Sequence, residues 1–198
     1  MIERSSYSND ALDAFQVYWD ELSIEAKKSG GTAGDAQLVP LRSAFNPMKL
    51  PAYLPQIFIT ELVSDDCILV RLAGTAIDEN AGQILQGKNF LDICDPDERG
   101  LHVGVCKIMA SQPCGVEMTR RARLADGRIH QFKSVSLPLA DNEGVPRFVV
   151  GIADLETNMA YKVQTGRANS GRSQVLEYEF IDLGAGIPPK DREIPDLK

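Results

Sequence analysis

Apolar residues recur at alternating steps of three and four along residues 9–28. Leu12, Phe15, Trp19, Leu22 and Ala26 share one stripe, while Asp13, Gln16, Asp20 and Lys27 lie opposite. That spacing predicts an amphipathic helix, capped by Asn9 or Asp10 and stopped by Gly30-Gly31. The stripe carries the only Trp of the chain. It must bury against the main domain or against a second copy, so Leu12, Phe15, Trp19 and Leu22 are read as an interaction helix that serves as a cover, a dimer seam or both. Residues 29–47, rich in Gly, Ser, Thr, Ala and Pro, read as a linker with some turn structure.

The pattern then changes to runs separated by turn residues. Ile57–Val63 and Cys67–Leu72, joined by Ser64-Asp65-Asp66, predict a hairpin. Residues 75–85 are short helical material broken by Gly82 and Gly87. Asp95-Pro96-Asp97-Glu98 reads as a helix start, with Asp95 as cap and Glu98 closing a capping box. That helix should run to about Ser111, before Pro113. Leu101, Val105 and Ile108 form its buried stripe, and His102, Cys106 and Met109 flank it. Gly100 and Gly104 allow a neighbour to approach closely. Three strands follow, Val116–Leu124, Arg128–Leu139 and Val145–Leu155, joined through Asp126-Gly127 and Asp141–Gly144. Short turns favour an antiparallel meander.

The middle strand is partly apolar on both sides. His130, Phe132, Ser134 and Ser136 lie on one, and Ile129, Val135, Leu137 and Leu139 on the other. A sheet wet on one face would alternate more cleanly, so something covers the outer side, and the Trp19 helix is the nearest candidate. After Glu156 the chain turns polar and Gly/Ser-rich, offers one strand-like run at Val175–Leu183, and ends in a Gly/Pro-rich tail. The organisation is therefore a helix and linker over 1–46, a main domain over 47–156 and an extension over 157–198.

Composition narrows the function classes. In 198 residues, 28 acidic against 21 basic side chains give a net charge of −7. That balance argues against a general grip on phosphate backbones and hence against nucleic acid as a partner. No apolar run is long enough to span a bilayer, and the start lacks the core of a secretory signal. A cytoplasmic protein without membrane contact is expected. Cys67, Cys94, Cys106 and Cys114 are too scattered for a disulfide framework and read as small buried hydrophobes.

Several strings, in order and at their spacing, carry a family resemblance. They are Gln86–Ile93, Asp95-Pro96-Asp97-Glu98-Arg99, Ala125-Asp126-Gly127-Arg128 and Asp154-Leu155-Glu156. Over roughly residues 50–156 the chain resembles a PAS domain. Leu72-Ala73-Gly74-Thr75-Ala76, with Leu50–Pro55 ahead of it, is similar to bacterial stand-alone PAS regulators of motility and cell cycle. The resemblance implies an α+β fold, a five-stranded antiparallel sheet cupping a small pocket under the long helix. It also implies a sensory or protein-interaction role, often as a dimer. His102, Cys106, Met118, Phe132 and Ser134 are the expected pocket lining.

Each candidate chemistry has a plainer rival. His102 and Cys106, four apart, face one way as a haem or metal pair would, yet no carboxylate or carbonyl partner to orient the imidazole is legible; lining a core is the plainer reading. Flavin photosensors of this family place a Cys directly after the Asn of their Gly-x-Asn motif, whereas Phe90 follows Gly87-Lys88-Asn89 here. Adduct chemistry is therefore ruled against, non-covalent flavin is left open, and no cofactor is expected. Arg120, Arg121, Arg123 and Arg128 surround the last hairpin but one, Arg120 on the opposite strand face from Arg121 and Arg123. They could hold an anion or an acidic partner; a solvated edge is the plainer reading. No phosphate-binding loop or nucleophile elbow occurs, and His130 reads as a surface residue.

The sequence thus predicts a non-catalytic PAS module in bacterial signalling. It would act as a homodimer through a protein partner such as a histidine kinase, with a small-molecule ligand possible. The alternatives are a cofactor-loaded sensor with haem at His102, and a small enzyme or carrier holding an acidic molecule through Arg120 and Arg121.

Overall fold

The computed structural model describes residues 10–28, 39–123, 129–155 and 173–189, with the backbone alone at 123, 129 and 130. Helix α1 spans Asp10–Lys28, with Asp10 and Asp13 in its first turn and Lys27 and Lys28 in its last, complementing the helix dipole. Strands β1 (Ile57–Ser64) and β2 (Cys67–Ala73) form the first hairpin. Helix α2 (Thr75–Ala81) ends at Gly82, whose φ of 68° supplies the left-handed cap. The break expected at Gly82 is where the helix ends. A single turn at Pro96–Glu98 leads into α3 (Arg99–Ser111). Strands β3 (Cys114–Arg123), β4 (Ile129–Ala140) and β5 (Pro146–Ala153) follow, and β6 (Gln174–Asp182) comes last.

All pairings are antiparallel, in the order β2-β1-β5-β4-β3-β6. The expectation of five strands is corrected to six. The strand-like run expected at Val175–Leu183 belongs to this sheet rather than to an extension outside it: β6 pairs along β3 from Cys114↔Asp182 to Arg121↔Gln174. The Asp126-Gly127 turn lies outside the described residues, although the Arg123↔Ile129 pair closes the ladder on either side of it.

The two sheet faces have different covers. On the outer face, Ile57, Ile59, Val135, Leu137, Leu139, Val150 and Ile152 form one core with Leu12, Phe15, Trp19 and Leu22 of α1. Trp19 is 1 % exposed and donates its indole N–H to the Pro138 carbonyl at 3.1 Å. Pro138 pairs with β5, beyond the last β3 pair at Ser136, where a missing N–H is tolerated. The four stripe residues are buried inside the chain, so α1 is the cover that the apolar outer face of the sheet calls for. What α1 shows outward is Val17 and Ile24 among charged neighbours.

The expected linker is corrected in its second half too. Val39 and Phe45 are buried, Leu41 bridges to Ala140, and the Tyr18 hydroxyl accepts the Asn46 N–H at 3.0 Å. Phe45 packs edge-on to Phe15 at 6.5 Å. Residues 39–47 therefore buttress α1.

Two sequence motifs meet in space. A Cβ on Gly74 would collide with the carbonyl oxygens of Leu54 and Pro55, so the turn over Pro51–Gln56 lies directly on the start of α2. Asn89 stitches the loop after α2 to the edge of β2: its Oδ1 accepts the N–H groups of Ile68 and Leu91, both at 3.1 Å, and its Nδ2 donates to the Asp66 carbonyl at 2.8 Å. The Gly-Lys-Asn string is thus a latch that covers an open strand edge. Among the described residues no helix is long and apolar enough to cross a membrane.

Candidate functional site

The inner sheet face and the layer of α2 and α3 enclose a cavity of about 340 Å³, at the small end of the roughly 300–1,000 Å³ typical of small-molecule sites. Strand alternation decides its floor. Phe58 and Thr60 of β1, Ile68 and Val70 of β2, Val116, Met118 and Arg120 of β3, and Phe132, Ser134 and Ser136 of β4 point inward. Val105, Met109, His102 and Cys106 of α3 form the roof. All five residues expected to line a pocket, His102, Cys106, Met118, Phe132 and Ser134, meet in this one cavity. Gly151 makes room for its floor, because a Cβ there would lie 2.7 Å from the Val135 carbonyl and strike the Phe58 ring.

A buried polar group sits at one end. His102 is 5 % exposed, its ring edge-on to Phe90 with centroids 4.9 Å apart. Its Nε2 lies 3.6 Å from Glu98 Oε2, four residues earlier on the same side of the helix. Neither atom has a hydrogen bond among the described residues. Desolvation holds the imidazole below its ordinary pKa of 6.5, opposed by Glu98 and assisted by Arg120. Burial likewise pushes the Cys94 thiol up to about 11 and Cys106 up to about 12. Both are held as thiols, the unreactive form.

Glu98 corrects one expectation. Rather than reaching back to Asp95, its Oε1 accepts the Val175 N–H at 2.7 Å, so the start of α3 is tied to β6. Asp95 caps the turn alone through the Asp97 N–H at 3.1 Å, and its other oxygen accepts from Gln174 Nε2 at 3.4 Å. The helix start and the last strand are thus joined at two adjacent residues.

The expected arginine group does not form one site. Arg120 faces the cavity, whereas Arg121 is exposed and donates its Nε–H to Gln174 Oε1 at 3.0 Å. The side chains of Arg123 and His130 lie outside the described residues, as does Arg128 entirely. Arg120 is absent from the expected pocket lining, and period-two alternation from Val116 and Met118 is the signal that places it inside.

Haem does not fit the residues present. The His102 nitrogen Nε2 has no accessible surface and is turned to the Glu98 carboxyl rather than to open space. No group of three His, Cys, Asp or Glu among the described residues could hold a metal ion.

No curated protein matches the sequence. Among solved structures, VqmA of Vibrio cholerae, described as bound to DPO, aligns with a TM-score of 0.44 and 15% identity over 57% of this chain and 57% of that one. The dark structure of the blue-light photoreceptor Aureochrome1 LOV aligns with 0.41 and 16% over 62% and 91%, and the Rhodobacter sphaeroides LOV protein with 0.40 and 11% over 60% and 72%. The alignment spans little more than half the length of the VqmA chains. A family model described as PAS domain matches residues 7–154, three quarters of the sequence, and takes in α1 together with the first five strands. The chain belongs to the PAS domain family.

Proposed function

We propose that this chain is a non-catalytic sensory module that binds a small molecule between its sheet and α3 and reports occupancy to a signalling protein. The carrying observation is the cavity itself: mainly apolar walls with His102, Arg120, Ser134 and Ser136 converging on it. Its two thiols, Cys94 and Cys106, are held protonated, which favours binding over nucleophilic chemistry. A route for the report is at hand. The helix that roofs the cavity is tied to β6 through Glu98, so a ligand that shifts His102 or Arg120 acts next to that tie. Occupancy then biases β6 between two packings, in proportion to its differential affinity for them. A homodimer in the cytoplasm, working through a partner such as a histidine kinase, is the assembly this reading calls for.

A native mass spectrum of the purified full chain tests it. We expect twice the chain mass plus a sub-kilodalton species that is released on acid denaturation. A bare chain, together with no rise in Tm against a panel of small metabolites, would overturn the reading.

A further inference from the structure

The geometry points to a small monocarboxylate with an apolar body as the ligand, its carboxylate seated on Arg120 and its body lying along the apolar residues under α3. This rests on the reading of the cavity as a ligand pocket. The argument begins with a guanidinium that lacks partners. Arg120 carries five N–H donors, yet among the described residues its one hydrogen-bond acceptor is the Met118 sulfur, at 3.2 Å from Nη2. A thioether is a weak acceptor. No carboxylate oxygen of a described residue lies within 4 Å of Arg120. The nearest acidic influence is Glu98, and one of its oxygens is already taken by the Val175 N–H. A cation that stays charged in proteins, facing a cavity where among the described residues only the Met118 sulfur accepts from it, calls for an acceptor from outside.

The charge count sets the class. Arg120 is the only cation among the described lining residues, and the only other formal charge there, Asp92, is exposed at the surface. One cation suits one negative charge. A phosphate ester, near two negative charges and wanting several donors, is poorly matched. A planar carboxylate meets a guanidinium through two parallel hydrogen bonds. Beside the neutral polar groups of Thr60, Ser134 and Ser136, a continuous stretch of wall formed by Val70, Val105, Met109, Val116 and Val149 offers apolar contact.

The test uses the full chain and titration calorimetry with hexanoate, octanoate and decanoate against hexanol, octanol and decanol. We expect each acid to bind at least tenfold more tightly than its alcohol. In Arg120→Met, which keeps an unbranched stem as far as the Nε position but no charge, that preference should fall to within about threefold, with alcohol binding retained. Arg120→Gln is the second variant should the first lose its fold, and the same collapse is expected. Equal affinity for acids and alcohols in the native chain would overturn the carboxylate assignment while leaving the ligand pocket intact. An acid preference that survives both variants would overturn the role of Arg120. Absence of binding by either series would sink the pocket reading itself, and this assignment with it.

Discussion

Removing the indole of Trp19 separates an internal cover from an intermolecular seam. Trp19 is 1 % exposed, sits among Phe15, Leu137, Leu139 and Val150, and donates a hydrogen bond to the Pro138 carbonyl. Trp19→Ala removes the ring and leaves a cavity, which costs about 3–5 kcal/mol in well-packed cores. Trp19→Phe keeps most of the ring but orphans a carbonyl, about 1–3 kcal/mol. At 2–4 °C per kcal/mol for a chain of this size, Tm should drop by roughly 6–20 °C in the alanine variant. Val17→Ala, on the exposed side of the same helix, should stay within about 0.5 kcal/mol. The assay is urea unfolding followed by circular dichroism at 222 nm, at protein concentrations spanning two decades. An internal cover predicts the same loss at every concentration, whereas a seam between copies makes stability rise with concentration. A loss below about 1 kcal/mol for Trp19→Ala, or a Trp19→Ala loss that changes with protein concentration, would refute the packing of α1 on its own sheet.

Four further outcomes follow from the same packing. Gly74→Ala should lower stability by about 1–3 kcal/mol in urea titrations, because the colliding atoms are backbone carbonyls that cannot swing away. His102 has a folded-state pKa below its ordinary value, so the unfolded chain takes up the proton first. Stability is full above about pH 6.5 and falls as pH drops below it, and His102→Gln should flatten that slope in Tm measured from pH 7.5 to 5. Glu98→Ala should speed hydrogen exchange of the Val175 amide at least tenfold while amides of β4 and β5 keep their protection. Cys106, with its thiol pushed up to about 12, should resist iodoacetamide at pH 8 in the native chain and react once urea unfolds it, as read by intact mass.

Much of the fold was legible because local periodicity and tertiary burial agree. The α1 stripe, the strands opening at Ile57 and Ile129, and the helical turn opening at Pro96 each appear within a residue or two of where spacing places them. The two-faced apolar pattern of β4 even required an outer cover, and α1 supplies it. What stayed hidden depends on contacts between distant parts of the chain. Val175–Leu183 reads as a strand, but nothing in it says that its neighbour is β3. Glu98 matches a capping box in every local respect, and only the arrival of the Val175 N–H diverts it. Residues 39–47 have linker composition, yet Val39 and Phe45 find a surface to bury against. Arg120 is the opposite case, because the alternation that put Met118 inside already carried it there.

The attachment of β6 has a consequence for the sheet margin. Along β3, β6 pairs from Cys114 to Arg121, and β4 holds the other flank from Val116 onward. Detaching the final strand would bare a ladder of amides and carbonyls some eight residues long, ready to template any extended peptide of matching length. A carboxyl at residue 98 and an amide at residue 175 therefore act as a fastener on that flank, and whatever loosens them turns a sealed border into a place where another chain can dock.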